Sequence, residues 1–148
     1  MAGVGYVLAI GAGRAPAAHR VDTAEFEIQF WSVEDGLLDN SVTSIEQTGD
    51  GFLWVGTPRG LVRFDGWSFV SVNPRADHAT NLAVTAQCVD AKGHLWFGTP
   101  KHGVFRLASE TEWQSEATPM GLRDEPISCL GAGEQGEVWI GTDQGLVR

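Results

Sequence analysis

One phrase is written three times in this chain. From Gly51 it reads GFLWVGTPRGLVRFDG, from Gly93 GHLWFGTPKHGVFRL, and from Gly136 GEVWIGTDQGLVR. The tryptophans Trp54, Trp96 and Trp139 recur after 42 and then 43 residues. Each has a glycine three residues before it (Gly51, Gly93, Gly136) and a β-branched residue twelve before it (Val42, Val84, Ile127). Each is followed by Gly-apolar-apolar-Arg, ending at Arg63, Arg106 and Arg148. The middle copy carries one extra residue, His102. Several matched positions at one period of this size mark a repeat architecture, which decides the fold before any single element does.

Each copy reads as short strands. In the first, Val42–Gln47, Phe52–Thr57, Gly60–Asp65 and Ser68–Asn73 are about the usual strand length and rich in β-branched and aromatic residues. Asp50-Gly51 and Asp65-Gly66 are hairpin dipeptides. Four antiparallel strands in roughly 40–50 residues is the size of one propeller blade. The expected fold class is therefore all-β, a partial β-propeller. It has two four-stranded antiparallel blades over about 42–80 and 84–120, an incomplete third over 127–148, and an N-terminal closing strand. Trp54 and Gly56 share one strand face. The glycine reads as a slot for a neighbouring aromatic, and the tryptophans read as core. A row of ligand-stacking tryptophans is the alternative.

The two ends carry complementary defects. The third copy stops inside its third strand. Phe26–Val33 is a strand pattern that precedes the first full copy. It leads from Trp31 to Gly36-Leu37, as Trp113 leads to Gly121-Leu122. Residues 26–33 are thus expected to be a fourth strand without its own first three, and 25–148 an incomplete ring that exposes apolar blade faces and self-associates. Residues 1–24 form a leader. Its apolar Val4–Ile10 and the Ala15-Pro16-Ala17 pattern fit a signal peptide shortened at its start; a disordered alanine/glycine leader is the other reading.

The formal net charge of −9 over 148 residues argues against nucleic acid or an anionic lipid surface as a partner, both of which want a basic patch. No apolar run is long enough to span a bilayer. Cys88 and Cys129 lie at different depths of their strands and read as two buried thiols, with an inter-blade disulfide as the alternative in an exported domain. His94 and His102 stand at opposite ends of one strand, about 15–20 Å apart at ~3.3 Å per residue, too far to share a metal. No catalytic or phosphate-binding motif is present, so no cofactor is expected and the chain reads as a non-enzyme. Arg63, Arg106 and Arg148 read as inter-blade salt-bridge partners or as the lining of an anion site. The loops joining second to third strands, and those leading into each first strand, open on one face. That face would carry Arg59, Lys101, His102, Asp143 and Gln144, with Glu34, Asp35 and Asp39 from the loop that leads into the first blade.

Residues Trp31–Gly66, WSVEDGLLDNSVTSIEQTGDGFLWVGTPRGLVRFDG, resemble the two-component regulator propeller repeat. The matching parts are Trp31 with Glu34-Asp35-Gly36-Leu37, then Asn40 and Val42, Asp50-Gly51, Leu53–Thr57 and Gly60–Gly66. The second copy departs, with Lys92 at the turn Asp and Leu107-Ala108 for Phe-Asp. The resemblance implies the extracytoplasmic, periplasmic part of a bacterial signalling protein. Such parts commonly hold two propellers of about seven blades each, ahead of a transmembrane helix and a cytoplasmic histidine kinase or diguanylate cyclase. It implies a small-molecule or oligosaccharide ligand, packing on the remaining blades of the same chain, homodimerisation and no nucleic acid. A non-signalling protein- or carbohydrate-binding scaffold is the alternative function. A propeller enzyme is the third, and would need clustered catalytic groups on the loop face.

Overall fold

The computed structural model describes residues 21–23, 26–73, 82–109, 112–115, 121–122 and 124–148. They divide into two compact units, Met1–Trp31 and Ser32–Arg148.

The second unit holds three antiparallel meanders. The first sheet is β3 (Ser44–Gln47), β4 (Leu53–Thr57), β5 (Gly60–Phe64) and β6 (Phe69–Val72), in that order. The second is β7 (Ala86–Val89), β8 (Leu95–Gly98), β9 (Val104–Ser109) and β10 (Glu112–Ser115). The third is β11 (Ile127–Ala132), β12 (Val138–Thr142) and β13 (Gly145–Val147). Each copy of the repeat is therefore one blade, and the tryptophan strand is second in its sheet. β8 is buried along its whole length. That is the pattern of a strand covered on both faces. No helix among the described residues is long and apolar enough to cross a membrane.

Turn chemistry sets the hairpins. The Asp65 carboxylate accepts from the Trp67 and Ser68 amides, both at 2.8 Å, beside Gly66 at φ +99°. These bonds, from Ser68 first and then Trp67, hold the Asp65 carboxyl below the usual range. The turn before each tryptophan strand solves one problem in three ways. In the first blade Asp50 accepts from the Phe52 amide at 3.2 Å. In the second, Lys92 stands where Asp50 does, and Asp90 takes over. It accepts from the Lys92 and His94 amides, both at 2.9 Å. In the third, Glu137 accepts from the Gln135 amide at 3.1 Å.

The same residues satisfy the buried indoles. Trp54 Nε1 donates to Thr48 Oγ1 at 2.9 Å, and that hydroxyl donates onward to Asp50 at 2.5 Å. Trp96 Nε1 donates directly to Asp90 at 2.9 Å. The third copy has Gly133 at this position, and Trp139 is 38% exposed, against 2% for Trp54.

Adjacent blades are joined by a repeated set of bonds. Thr43 Oγ1 donates to the Val84 carbonyl at 2.7 Å, and the Val84 amide donates to the Thr57 carbonyl at 3.0 Å. One period on, Thr85 Oγ1 donates to the Ile127 carbonyl at 2.5 Å, and the Ile127 amide to the Thr99 carbonyl at 3.1 Å. Between blades one and two lie Trp54, Leu61, Leu82, Val84, Leu95, Phe97 and Phe105. Between two and three lie Trp96, Val104, Leu122, Ile127, Val138 and Ile140, with Cys88. Leu37 covers Val55 and Val62 of the first blade.

The glycine slot exists, but its occupant differs from the aromatic expected. A Cβ on Gly56 would stand 2.6 Å from Val84 Cγ1 and 2.5 Å from Ser44 Oγ. A Cβ on Gly98 would strike Ile127. Val84 and Ile127, twelve before Trp96 and Trp139, fill the slot of the preceding blade, because their amides are already tied there.

In the first unit β1 (Val21–Thr23) pairs antiparallel with β2 (Phe26–Ile28). The single strand expected over 26–33 is thus shorter. A 3-10 turn at Val33–Asp35, in the second unit, takes its end. Ser32 and Asp35 form a capping box there, and Gly36 at φ +112° closes the turn. The leader up to His19 and Arg20 lies outside the described residues, as does the 74–81 segment with His78.

Candidate ligand-facing turns

The three turns between second and third strands are built alike. The buried Thr57 hydroxyl donates to the Gly60 carbonyl at 2.9 Å and accepts from the Arg59 amide at 3.2 Å. Thr99 donates to the Gly103 carbonyl at 2.9 Å and accepts from the His102 amide at 2.9 Å. Thr142 donates to the Gly145 carbonyl at 3.2 Å and accepts from the Gln144 amide at 3.1 Å. The inter-blade bonds end on the Thr57 and Thr99 carbonyls. The first two turns are therefore anchored to one frame, and the three together present Arg59, Lys101, His102, Asp143 and Gln144 as exposed side chains.

The three acidic residues of the lead-in loop are placed differently. A Cβ on Gly36 would lie 3.2 Å from Phe69 Cβ. Phe69 pairs with Phe64, which pairs with Leu53. That is the far end of β4 from Thr57, ~13 Å away at ~3.3 Å per residue. Glu34 and Asp35 adjoin Gly36 and so belong to that end, not to the turn face. The Asp35 carboxylate is also committed to Ser32, accepting from its amide at 2.8 Å. Asp39 lies on the limb returning to Thr43 and accepts from the Ser41 amide at 2.8 Å. The loop folds back because Leu37 inserts against Val55 and Val62.

The repeated arginines stack within their own blades. The Arg63 guanidinium lies 4.2 Å from the Phe52 ring centroid, Arg106 5.6 Å from that of Trp96, and Arg148 5.6 Å from that of Trp139. Arg63 is directly opposite Trp54, and Arg106 opposite Trp96, on adjacent strands. The hairpin register was the available signal, since the Trp-to-Arg spacing across a short turn fixes that pairing. Arg106 also donates to Gln114 at 2.6 Å.

Both cysteines are free thiols, and only Cys88 is buried; Cys129 is exposed on its strand. Burial first, then Glu46 and Asp90, pushes the Cys88 thiol up to about 12. Asp90 also holds His94 Nδ1 at 3.0 Å. Its carboxyl lies below the usual range. Burial is the largest single influence and acts upward, but bonds from Trp96, His94 and Lys92 together outweigh it. No group of three potential metal ligands occurs among the described residues.

The family model described as two component regulator propeller matches residues 36–59. The chain is similar over 82% of its length to the extracellular domain of BT4673 from B. thetaiotaomicron, with a TM-score of 0.66 and 27% identity. A second structure of that domain, described as a hybrid two component system, gives the same TM-score at 26% identity. In sequence, 64 residues are 34% identical to Histidine kinase P4 of Formosa agariphila. The chain spans 16% of the length of the BT4673 domain and 5% of that kinase. Residues 36–59 match the two-component regulator propeller model, and the chain that carries them has a propeller fold similar to the extracellular domain of BT4673, described in one structure as a one component and in the other as a hybrid two component system.

Proposed function

We propose that this chain is part of an extracytoplasmic ligand-sensing input module of a bacterial two-component-type signalling protein. The observation that carries the reading is the fold similarity to the BT4673 extracellular domain over 82% of the chain, at 27% identity. The turn face supplies a place for recognition. Its side chains are exposed, they come from three blades, and a threonine hydroxyl braces each turn, buried in the first two blades and half-buried in the third. The module is read as having no chemistry of its own and as working on the periplasmic side of the inner membrane. Its ligand would be a small molecule or oligosaccharide, and it would signal as a homodimer. Ligand must then bind two arrangements of that dimer with different affinity.

Two measurements test this. An alkaline phosphatase reporter joined after Arg148 in the natural gene should be active, which requires export. A panel of neutral and anionic oligosaccharides should include one that raises the melting temperature, because a ligand that binds only the folded state stabilises it by mass action. An inactive reporter would exclude the extracytoplasmic reading. Turnover of a stabilising sugar by the protein would replace the sensor with an enzyme, and binding without any change in the attached output would favour a plain scaffold.

A further inference from the structure

We propose that the turns of the first two blades form a site for one anionic group, a sulfate ester or carboxylate, on a saccharide ligand. This rests on the sensor reading above and gives its ligand a chemical class. The two turns read Thr57-Pro58-Arg59-Gly60 and Thr99-Pro100-Lys101-His102-Gly103. Both place a cation after a proline, on a frame anchored by a buried threonine hydroxyl. The third turn, with Asp143 and Gln144, breaks the pattern.

The segment between the two basic turns is Leu82–Thr85, which carries no charge. It joins them by short bonds, Val84 amide to Thr57 carbonyl at 3.0 Å and Thr85 amide to Gly98 carbonyl at 2.9 Å. Packed sheets stand about 10 Å apart, so Arg59 and Lys101 can converge on one group. Beyond the second blade, Asp124, Glu125 and Asp143 are acidic, and an anion is therefore favoured between the first two blades and not between the next two.

The surrounding charge economy sharpens this. In a chain of net charge −9, Asp50, Asp65, Asp90 and Glu137 are committed to backbone amides of turns. Arg63 and Arg106 are stacked on rings. Among the described residues no ion pair engages Arg59 or Lys101. A planar guanidinium and an ammonium on rigid turns are suited to a sulfate or carboxylate through charge-assisted bonds.

The test is an amide NMR titration of the natural extracellular domain that contains this chain, with glucose 6-sulfate, glucose and sodium sulfate at matched ionic strength. Glucose 6-sulfate should move the Arg59, Gly60, Lys101 and Gly103 amides. Arg59→Gln and Lys101→Gln should each weaken it roughly tenfold, the size of one lost charge-assisted bond. Arg59→Lys with Lys101→Arg should keep most of the affinity, which a merely structural role would not predict. Equal affinity for glucose, or unmoved turn amides, overturns the inference. Sodium sulfate binding as tightly as the ester overturns the ligand assignment and leaves an adventitious anion only. In each of these cases, stabilisation by another oligosaccharide of the panel would leave the sensor reading standing, and its absence together with an inactive export reporter would remove both.

Discussion

Thr43 Oγ1 donates to the carbonyl of Val84 at 2.7 Å, across the boundary between the first and second blades. Thr85 repeats this to Ile127 one period later. The bond explains why a branched residue followed by a hydroxyl residue precedes each tryptophan. The branched side chain fills the neighbouring blade's glycine slot, while its two backbone groups are held from that blade. Replacing Thr43 or Thr85 by Val keeps the shape and removes the donor. Each should cost about 1 kcal/mol by denaturant melt, and the pair should be close to additive, since they sit in different interfaces. A stability unchanged in both would show that the hydroxyls are incidental.

Gly98→Ala should be costly for a surface-length change of one methyl. The added Cβ would strike Ile127, whose backbone cannot retreat because its amide and carbonyl are both bonded. Overpacking of this kind costs about 1–3 kcal/mol. Ile127→Ala in the same chain should recover part of the loss. Simple additivity of the two changes would mean that the slot and the side chain do not meet.

Much of this was legible in the sequence, and the misses have physical causes. The Trp-x-Gly-Thr period fixes the blades and the position of the tryptophan strand, because burial on both faces leaves little choice of residue. The sequence does not show the partner of Gly56, because the slot is filled by a branched residue 28 positions away on another blade, and periodicity within a strand says nothing about that. Connectivity alone places Glu34 and Asp35 with Arg59, because it brings the loop to that end; the insertion of Leu37 turns it back. The arginines read from the sequence as inter-blade ion pairs or the lining of an anion site, whereas each stacks on an aromatic ring of its own blade. Cys129 reads as buried like Cys88, yet it is exposed: it pairs with Gly141 as Cys88 pairs with Trp96, on the strand face that the second blade packs against the third and that no described residue covers in the same way in the third blade.

Asp90 should make the second blade acid-sensitive. Its carboxyl is held below the ordinary range, so the folded state prefers the ionised form. The resulting stability is present above the ordinary carboxylate range and is lost as pH falls through the depressed folded-state value. Asp90→Asn should therefore lower stability at neutral pH by about 1–3 kcal/mol and flatten the decline on acidification. An acid slope identical to that of the natural chain would remove Asp90 from this role.

The two thiols should react unequally. Cys88 is buried, with its thiol pushed up to about 12, and Cys129 is exposed. The thiolate is the reactive form. Iodoacetamide at neutral pH should alkylate the native protein at Cys129 only, and both sites after denaturation. Fast labelling of Cys88 in the native state would mean that the interface between the second and third blades opens readily.

Amide hydrogen exchange at Val84 and Ile127 tests the account most directly. Neither the Val84 nor the Ile127 amide donates within its own sheet; each donates to the preceding blade's threonine carbonyl, Thr57 and Thr99. If the blades form one frame that carries the turn face, both amides should exchange as slowly as Leu95 and Phe97 in the core of β8. Exchange at loop rates, with the β8 amides still protected, would show that the blades are separate sheets and that their turns do not form a common face.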